Sequence, residues 1–423
     1  MRFPRDASTP LLALERARRR ITIGLFASQA AFGAGSVAAF TVMSMIAAQL
    51  GGPVLAGLPG ALGLLGRASA AYPMGWLMDR AGRRTALALG YVLGTAGAAL
   101  ASVAVIGGSL PGFLAGSVLF GMARGAADQS RFVAAEVHPP DRRGRVIGLI
   151  VFAGTVGAVG GPLLVGVTSD WASGWGINEL TGPWLATVAL MALATLVSFG
   201  LLRPDPREIS RALGASGQNA AQTERPARPL RTVFAAAQVR LAVAAMVVGQ
   251  AVMVMLMTMM PLHMYGIHET TQSISVVMTA HTLGMFGLSG LTGRLVDRIG
   301  RAPVIALGAL QLVAASALAP FADGLAQIVP SMFLLGLGWN FTFVAGSSLL
   351  VDQLRLAERG RAQGVSEAAV AVAAGAGGIG SGPVFALGGF AWVGALGLAA
   401  TLGLVSVLAW FARSSRTVAA VPT

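Results

Sequence analysis

Between Met246 and Met285 the chain concentrates a chemistry that it uses sparingly elsewhere. Nine of its seventeen methionines fall in these forty residues, together with His281. Met246, Met253, Met257, Met260 and Met264 step by 7, 4, 3 and 4, the spacing of one stripe on an α-helix. Met278, His281 and Met285 step by 3 and 4 in the segment that follows. Thioethers and an imidazole brought face to face suit Cu(I), because soft sulfur ligands select it and imidazole accepts copper. Methionine on an apolar helix is by default a gap-filler. The chemical reading therefore rests on the MxxxM pair Met253/Met257 and the HxxxM pair His281/Met285 occurring on consecutive helices.

Those helices must span a membrane. The 423 residues are 55% hydrophobic and 11% charged, with a mean hydropathy of +0.72, outside the range of soluble globular chains. No cysteine is present, which excludes disulfides, zinc thiolates and thiol nucleophiles. The net charge of +13 comes from thirty basic residues, all arginine. Most lie between apolar runs, which points to membrane topology and away from nucleic acid. Met1 to Arg20 is polar and basic and does not read as a cleavable signal.

Segments able to cross roughly 30 Å of hydrocarbon run over 21–50, 53–78, 85–107, 110–136, 146–169 and 183–202, then 238–262, 271–296, 302–322, 326–352, 362–387 and 389–412. This is an all-α membrane protein of twelve transmembrane helices in two six-helix halves, 21–202 and 234–413. A cytoplasmic segment 1–20 precedes them, a polar, proline-bearing linker 203–233 separates them, and a tail 414–423 follows. Arginines cluster at the N-terminus, at 80–84, 142–145, 203–231, 294–301 and 355–361, and in the tail. The alternate loops hold none, and Asp170, Glu179, Glu269 and Asp323 occupy several of them. Both termini are thereby expected in the cytoplasm.

Two loops repeat at an offset of 218 residues. Gly75, Asp79, Arg80, Gly82 and Arg83 spell GxxxDRxGR after the second span, and Gly293, Asp297, Arg298, Gly300 and Arg301 spell it again after the eighth. Glycine permits a tight turn between packed helices, and the Asp–Arg pairs can latch helix ends where the halves part and close. Over its full length the chain resembles the major facilitator superfamily. That resemblance implies a substrate site between the halves near the midplane, reached by rocking, with the two loops governing the conformational change.

Charges inside spans are costly and mark function or pairing. Arg124, Asp128 and Arg131 share one face of the fourth span, and Arg67 lies in the second. Their cheapest explanation is an ion-pair network; a proton relay is the functional alternative. The stretch Leu114 to Met122 lacks the arginine that proton-coupled drug antiporters place there.

Counted from the external ends near 264 and 271, Met257 and Met253 lie seven and eleven residues deep, His281 and Met285 ten and fourteen. At about 1.5 Å per residue all four reach the middle of the membrane, so the two helices are expected to face each other across one ion. Here the resemblance narrows to the CcoA-type copper importers, which supply copper for assembly of cbb3-type cytochrome c oxidase. It carries over Met253, Met257, His281 and Met285 as the metal-handling set, with Met260, Met264, Met278 and His263 as a path from outside. The first half offers no sulfur or imidazole at the equivalent positions, only Met43 and Met45 nearby.

The expectation is a copper importer of the bacterial inner membrane, delivering to a cytoplasmic copper chaperone or the oxidase assembly pathway. It needs no cofactor, since copper is the cargo. The rival is a proton-coupled carrier of a small organic solute or drug. Enzymatic function is not expected, because neither HExxH nor a nucleophile elbow nor a phosphate loop is present. A topology reporter fused at Gly217 should read cytoplasmic and one at Glu179 external; the reverse pattern would invert the orientation.

Overall fold

The computed structural model describes residues 8–52, 55, 58–215, 227–269 and 271–419. Gly217 and the centre of the linker, 216–226, lie outside the described residues. The chain divides into two compact units. The first holds residues 1–146, 153–228 and 354–368; the second holds 147–152, 229–353 and 369–423.

Unit one contains α1 (Ser8–Gly51), α2 (Leu58–Ala81), α3 (Arg83–Ile106), α4 (Leu110–Ala127), α5 (Ser130–Glu136), most of α6 (Arg143–Gly174), α7 (Thr181–Leu201) and the short α8 (Pro206–Ala215). The fourth span is thus two helices, because the chain turns at Asp128 and Gln129. Small residues set the packing, as expected where lipid supplies no hydrophobic drive between helices. A Cβ at Gly121 would run into the Gly63 carbonyl of α2, and one at Gly97 would lie 2.6 Å from the Phe120 nitrogen of α4.

Unit two contains α9 (Leu230–Ala235), α10 (Ala237–Gly266), α11 (Thr271–Thr282), α12 (Ser289–Ile299), α13 (Arg301–Leu318), α14 (Leu325–Gln353) and the later part of α15 (Arg359–Ala419). A π-helical turn over Leu283–Gly287 separates α11 from α12. The centre of the unit is α14, on which α10, α11, α12 and α13 all pack. The element α15 breaks at Gly388 and Gly389, where Gly389 has φ +66°, so one continuous stretch contains the eleventh and twelfth spans.

Among the described residues nine helical stretches are long and apolar enough to cross a membrane. The charge-bearing α2, the divided α11–α12 pair and the break in α15 complete twelve. Most helices lie within about five residues of the spans read from hydropathy, but α1 begins at Ser8, well ahead of residue 21, and α15 runs on to Ala419. Replacing Gly121 by Ala should force α2 off α4, costing about 1–3 kcal/mol, and lower the detergent melting temperature. Gly200→Ala, where a Cβ meets nothing within 4 Å, should leave it level or slightly raised. Equal behaviour of the two variants would refute the packing argument.

Candidate functional site

The residues of the methionine–histidine constellation gather around α14. Along α10, Met246 Sδ accepts from Ser347 Oγ at 3.4 Å, Gly249 faces the Thr342 hydroxyl, and Gln250 Oε1 accepts from Trp339 Nε1 at 2.9 Å. This antiparallel register, extended by one and two turns, sets Met253 and Met257 level with residues 332–338. On α11, His281 Nδ1 bonds the Met332 carbonyl at 3.0 Å, and Gly336 meets the His281 carbonyl and the Met285 nitrogen. The MxxxM and HxxxM pairs therefore share one depth, as counted from the sequence.

The packing differs from the sequence expectation in one respect. The helices α10 and α11 do not chiefly face each other; both lie on α14, which Gly284 and Gly336 let approach backbone to backbone. The two pairs flank the same two turns of α14. Met253 and Met285 are buried and Met257 is half-buried. Burial does not single out the stripe, since Met255 is equally buried and lies beside Gly397. Met246, near the far end of α10, is a packing residue against Ser347 and Gly346.

His281 has no exposed surface. A carbonyl only accepts, so the proton sits on Nδ1, and the neutral ring carries its lone pair on Nε2. That nitrogen is buried without a hydrogen-bond partner. Met285 lies within the π-helical turn, and its carbonyl accepts from Asn340 Nδ2 at 2.6 Å. Asn340 also donates to Ser289 Oγ at 2.5 Å and accepts from Thr292 Oγ1 at 2.6 Å. This buried amide bolts α14 to the π-helical turn and α12. Sequence reasoning passed over it, although the glycines of LGMFG (Leu283 to Gly287) signal an irregular turn.

The residues expected along a metal path differ in their surroundings. Met260 and Met264 are buried and Met278 half-buried. His263 Nε2 is engaged by the Ala322 carbonyl at 2.7 Å, and its ring stacks on Phe390 at 4.9 Å, so it is a packing group. Met45 is 53% exposed, which leaves Met43 as the buried methionine of that pair. Among the described residues no group of three or more His, Asp or Glu is placed to hold a metal.

The charges of unit one pair differently from their spacing along the helix. The Asp128 carboxylate pairs with Arg67 Nε at 2.7 Å, and Arg131 donates to the Asp128 backbone carbonyl. Arg131 pairs with Glu367, whose other oxygen is 3.9 Å from Arg67. Arg124 is half-buried in the same region. The turn at 128–129 re-aims these side chains off one face. Glu367 thus joins a network in which the sequence reading had not placed it.

Both GxxxDRxGR loops adopt one conformation, with Gly82 and Gly300 each at φ +95° opening α3 and α13. Arg83 donates to Glu136 at 2.9 Å and to Asp79 at 3.2 Å; Arg301 donates to Asp352 at 2.9 Å. The Asp79 carboxylate accepts the Gly360 and Arg361 amides, each at 2.9 Å, where the positive end of the α15 dipole favours an anion. Gly75 lies against the Gly360 carbonyl, and Gly293 is buried in unit two beside Gly148. Arg80 is not part of the latch; it lies over Trp76, 4.4 Å from the ring. Arg298 is exposed and Asp297 half-buried. Outside the spans, burial holds the His138 imidazole below its ordinary pKa, and its Nδ1 meets the Ala134 carbonyl.

A twice-repeated six-span bundle, with polar and sulfur groups inside and an arginine–acid latch in each unit, defines a membrane transporter and not an enzyme. The sequence profile of the Major Facilitator Superfamily matches residues 25–271 and 255–422, and the chain belongs to that family. It is 34% identical over 392 residues to the uncharacterised MFS-type transporter YdeG of Bacillus subtilis (strain 168), covering 90% of each chain. It is 30% identical over 315 residues to the riboflavin transporter RfnT of Brucella anthropi, covering 74% of this chain and 76% of that one. In fold it matches the crystal structure of the human organic anion transporter MFSD10 at a TM-score of 0.74 and 16% identity, over 92% of this chain and 99% of that one.

Replacing Asp79 by Asn removes the charge that both the α15 amides and Arg83 use. About 1–2 kcal/mol of charge-assisted bonding should appear as roughly tenfold slower transport with substrate affinity within twofold of wild type. An equal loss of affinity would show that Asp79 belongs to the binding site.

Proposed function

We propose that this transporter imports copper, as Cu(I), across the bacterial cytoplasmic membrane, and that the copper supplies haem-copper oxidase assembly. The observation carrying this reading is the state of His281. Its tautomer is pinned by the Met332 carbonyl, and its Nε2 is buried without a partner, in a helical stretch where Met285 follows four residues on. A hydrogen bond on the far nitrogen is the usual device for orienting an imidazole toward a metal. Thioethers and a neutral imidazole bind without losing a proton, so their affinity does not depend on ligand deprotonation. Because the pairs flank α14, copper meets them as two low-coordinate stations at one depth, which suits Cu(I). Met260 and Met264 extend the sulfur stripe toward the external end. Inward movement of one positive charge is favoured by about 2.3 kcal/mol per 100 mV, so import needs no coupled ion. On this reading a cytoplasmic chaperone or the cbb3 assembly pathway receives the metal.

A second reading, a planar heteroaromatic solute, has its own support. Trp339 stacks on Phe343 at 4.6 Å and meets Phe286 edge-on at 5.7 Å, with Gln250 beside them, and one relative is a riboflavin transporter. Uptake of radioactive copper and of labelled riboflavin, in cells with and without the protein, separates the two.

Within the copper reading the expected order of damage is His281→Ala first, then Met257→Ala and Met253→Ala, with Met285→Ala mildest. His281→Ala should lower uptake at least tenfold at matched expression. Met259→Ala, off the stripe, should stay near wild type. Copper uptake that is indifferent to His281 would refute the assignment; damage by Met259→Ala equal to that of the on-stripe variants would reduce the methionines to packing.

A further inference from the structure

A second site lies within unit one, between α1 and α7. Arg16, Arg19, Arg20 and Ile23 step by 3, 1 and 3 along α1 and so share one face. With Leu201 of α7 they line a shallow cavity of about 340 Å³. All three arginines are exposed. Arg20 donates to the Arg203 carbonyl at the surface. Directly beneath them the surface turns apolar: Ile23 is 52% exposed and Phe199 55%. The Arg84 guanidinium lies over the Phe199 ring at 4.0 Å and that of Arg203 at 5.5 Å, keeping their stems on apolar surface and their heads at its edge.

The nearby acids are already engaged. Glu15 pairs with Arg18 at 3.1 Å, and the Asp205 carboxylate accepts the backbone amides of Arg83, Arg84 and Arg207. No acid is among the residues that line the cavity, so the arginine charge above the apolar strip is not balanced within it.

We propose that this cavity binds the phosphodiester headgroup of an anionic phospholipid, with its acyl chains along Ile23, Leu201 and Phe199. A small soluble anion would satisfy the arginines but leave the apolar strip uncovered, whereas a diacyl lipid matches both. The location, where a spanning helix passes out of its apolar stretch into an arginine run, is the depth at which headgroup phosphates lie. The proposal is independent of the transported substrate.

The test is native mass spectrometry of the full-length protein in detergent with equal amounts of phosphatidylglycerol and phosphatidylcholine. Wild type should retain phosphatidylglycerol selectively. Each single Arg16→Gln, Arg19→Gln or Arg20→Gln variant should weaken it about fivefold, from roughly 1 kcal/mol per basic residue at an anionic surface, and the triple variant should abolish the selectivity. Unchanged selectivity in the triple variant overturns the proposal. So does an equal loss in an Arg294→Gln/Arg298→Gln variant, which would make the attraction a property of net charge. Displacement of the lipid by millimolar glycerol phosphate would assign the arginines to a soluble anion instead. A lipid-free melting temperature unchanged by the triple substitution excludes unfolding as the cause.

Discussion

Inside hydrocarbon a charge has no water to turn to, and most of unit one is arranged around that fact. Arg83 with Glu136, Arg67 with Asp128, and Arg131 with Glu367 form nested buried pairs. Removing one member of such a pair costs about 3–5 kcal/mol, because the other is left uncompensated. The segment 354–368 belongs to unit one for this reason. It brings Glu367 to Arg131, the Gly360 and Arg361 amides to Asp79, and Glu358 to Arg228. The linker joins the same arrangement through Ser210, which accepts from Arg359 at 3.1 Å.

The two halves carry one motif and use it alike in the backbone, with a positive-φ glycine opening the next helix and an arginine reaching an acid about fifty residues on. Their interiors are not alike. Unit one is held by ion pairs, Gly–Gly approaches and aromatic packing such as Phe113 against Trp184 at 5.4 Å. In unit two the centre is neutral, with Asn340, Gln250, Trp339 and the sulfur–imidazole groups disposed about α14. A twice-repeated fold thus holds different side-chain chemistry in its two halves, with the sulfur–imidazole groups in the half that bears His281.

Spans were legible because hydropathy and arginine placement act along the chain, and span limits depend on little else. The break at Gly388–Gly389 was visible as a loop position for the same reason. The common depth of Met253, Met257, His281 and Met285 followed from counting residues along rigid helices. What stayed hidden depends on contacts between distant residues. Helical spacing suggested Arg124 or Arg131 as the partner of the Asp128 carboxylate, yet Arg67 from another helix pairs with it, while Arg131 donates to the Asp128 carbonyl and pairs with Glu367. No periodicity reveals that α14 supports both α10 and α11, or that Asn340 satisfies three polar groups at once. His263 looked like a metal collector at a mouth, yet a carbonyl and a phenyl ring already occupy it.

The π-helical turn at Leu283–Gly287 has a geometric consequence for the residues on either side of it. Such a turn is an α-helix carrying one residue too many for its length. Resolving it into regular α-helix, with Asn340 released from the Met285 carbonyl, would rotate α11 by about 100° relative to α12, the angle of one residue at 3.6 per turn. The imidazole of His281 would swing from the Met332 carbonyl to a different azimuth while the Gly300 end stayed fixed. Helix phase, rather than helix tilt, is then the coordinate along which this histidine could gain or lose its neighbours.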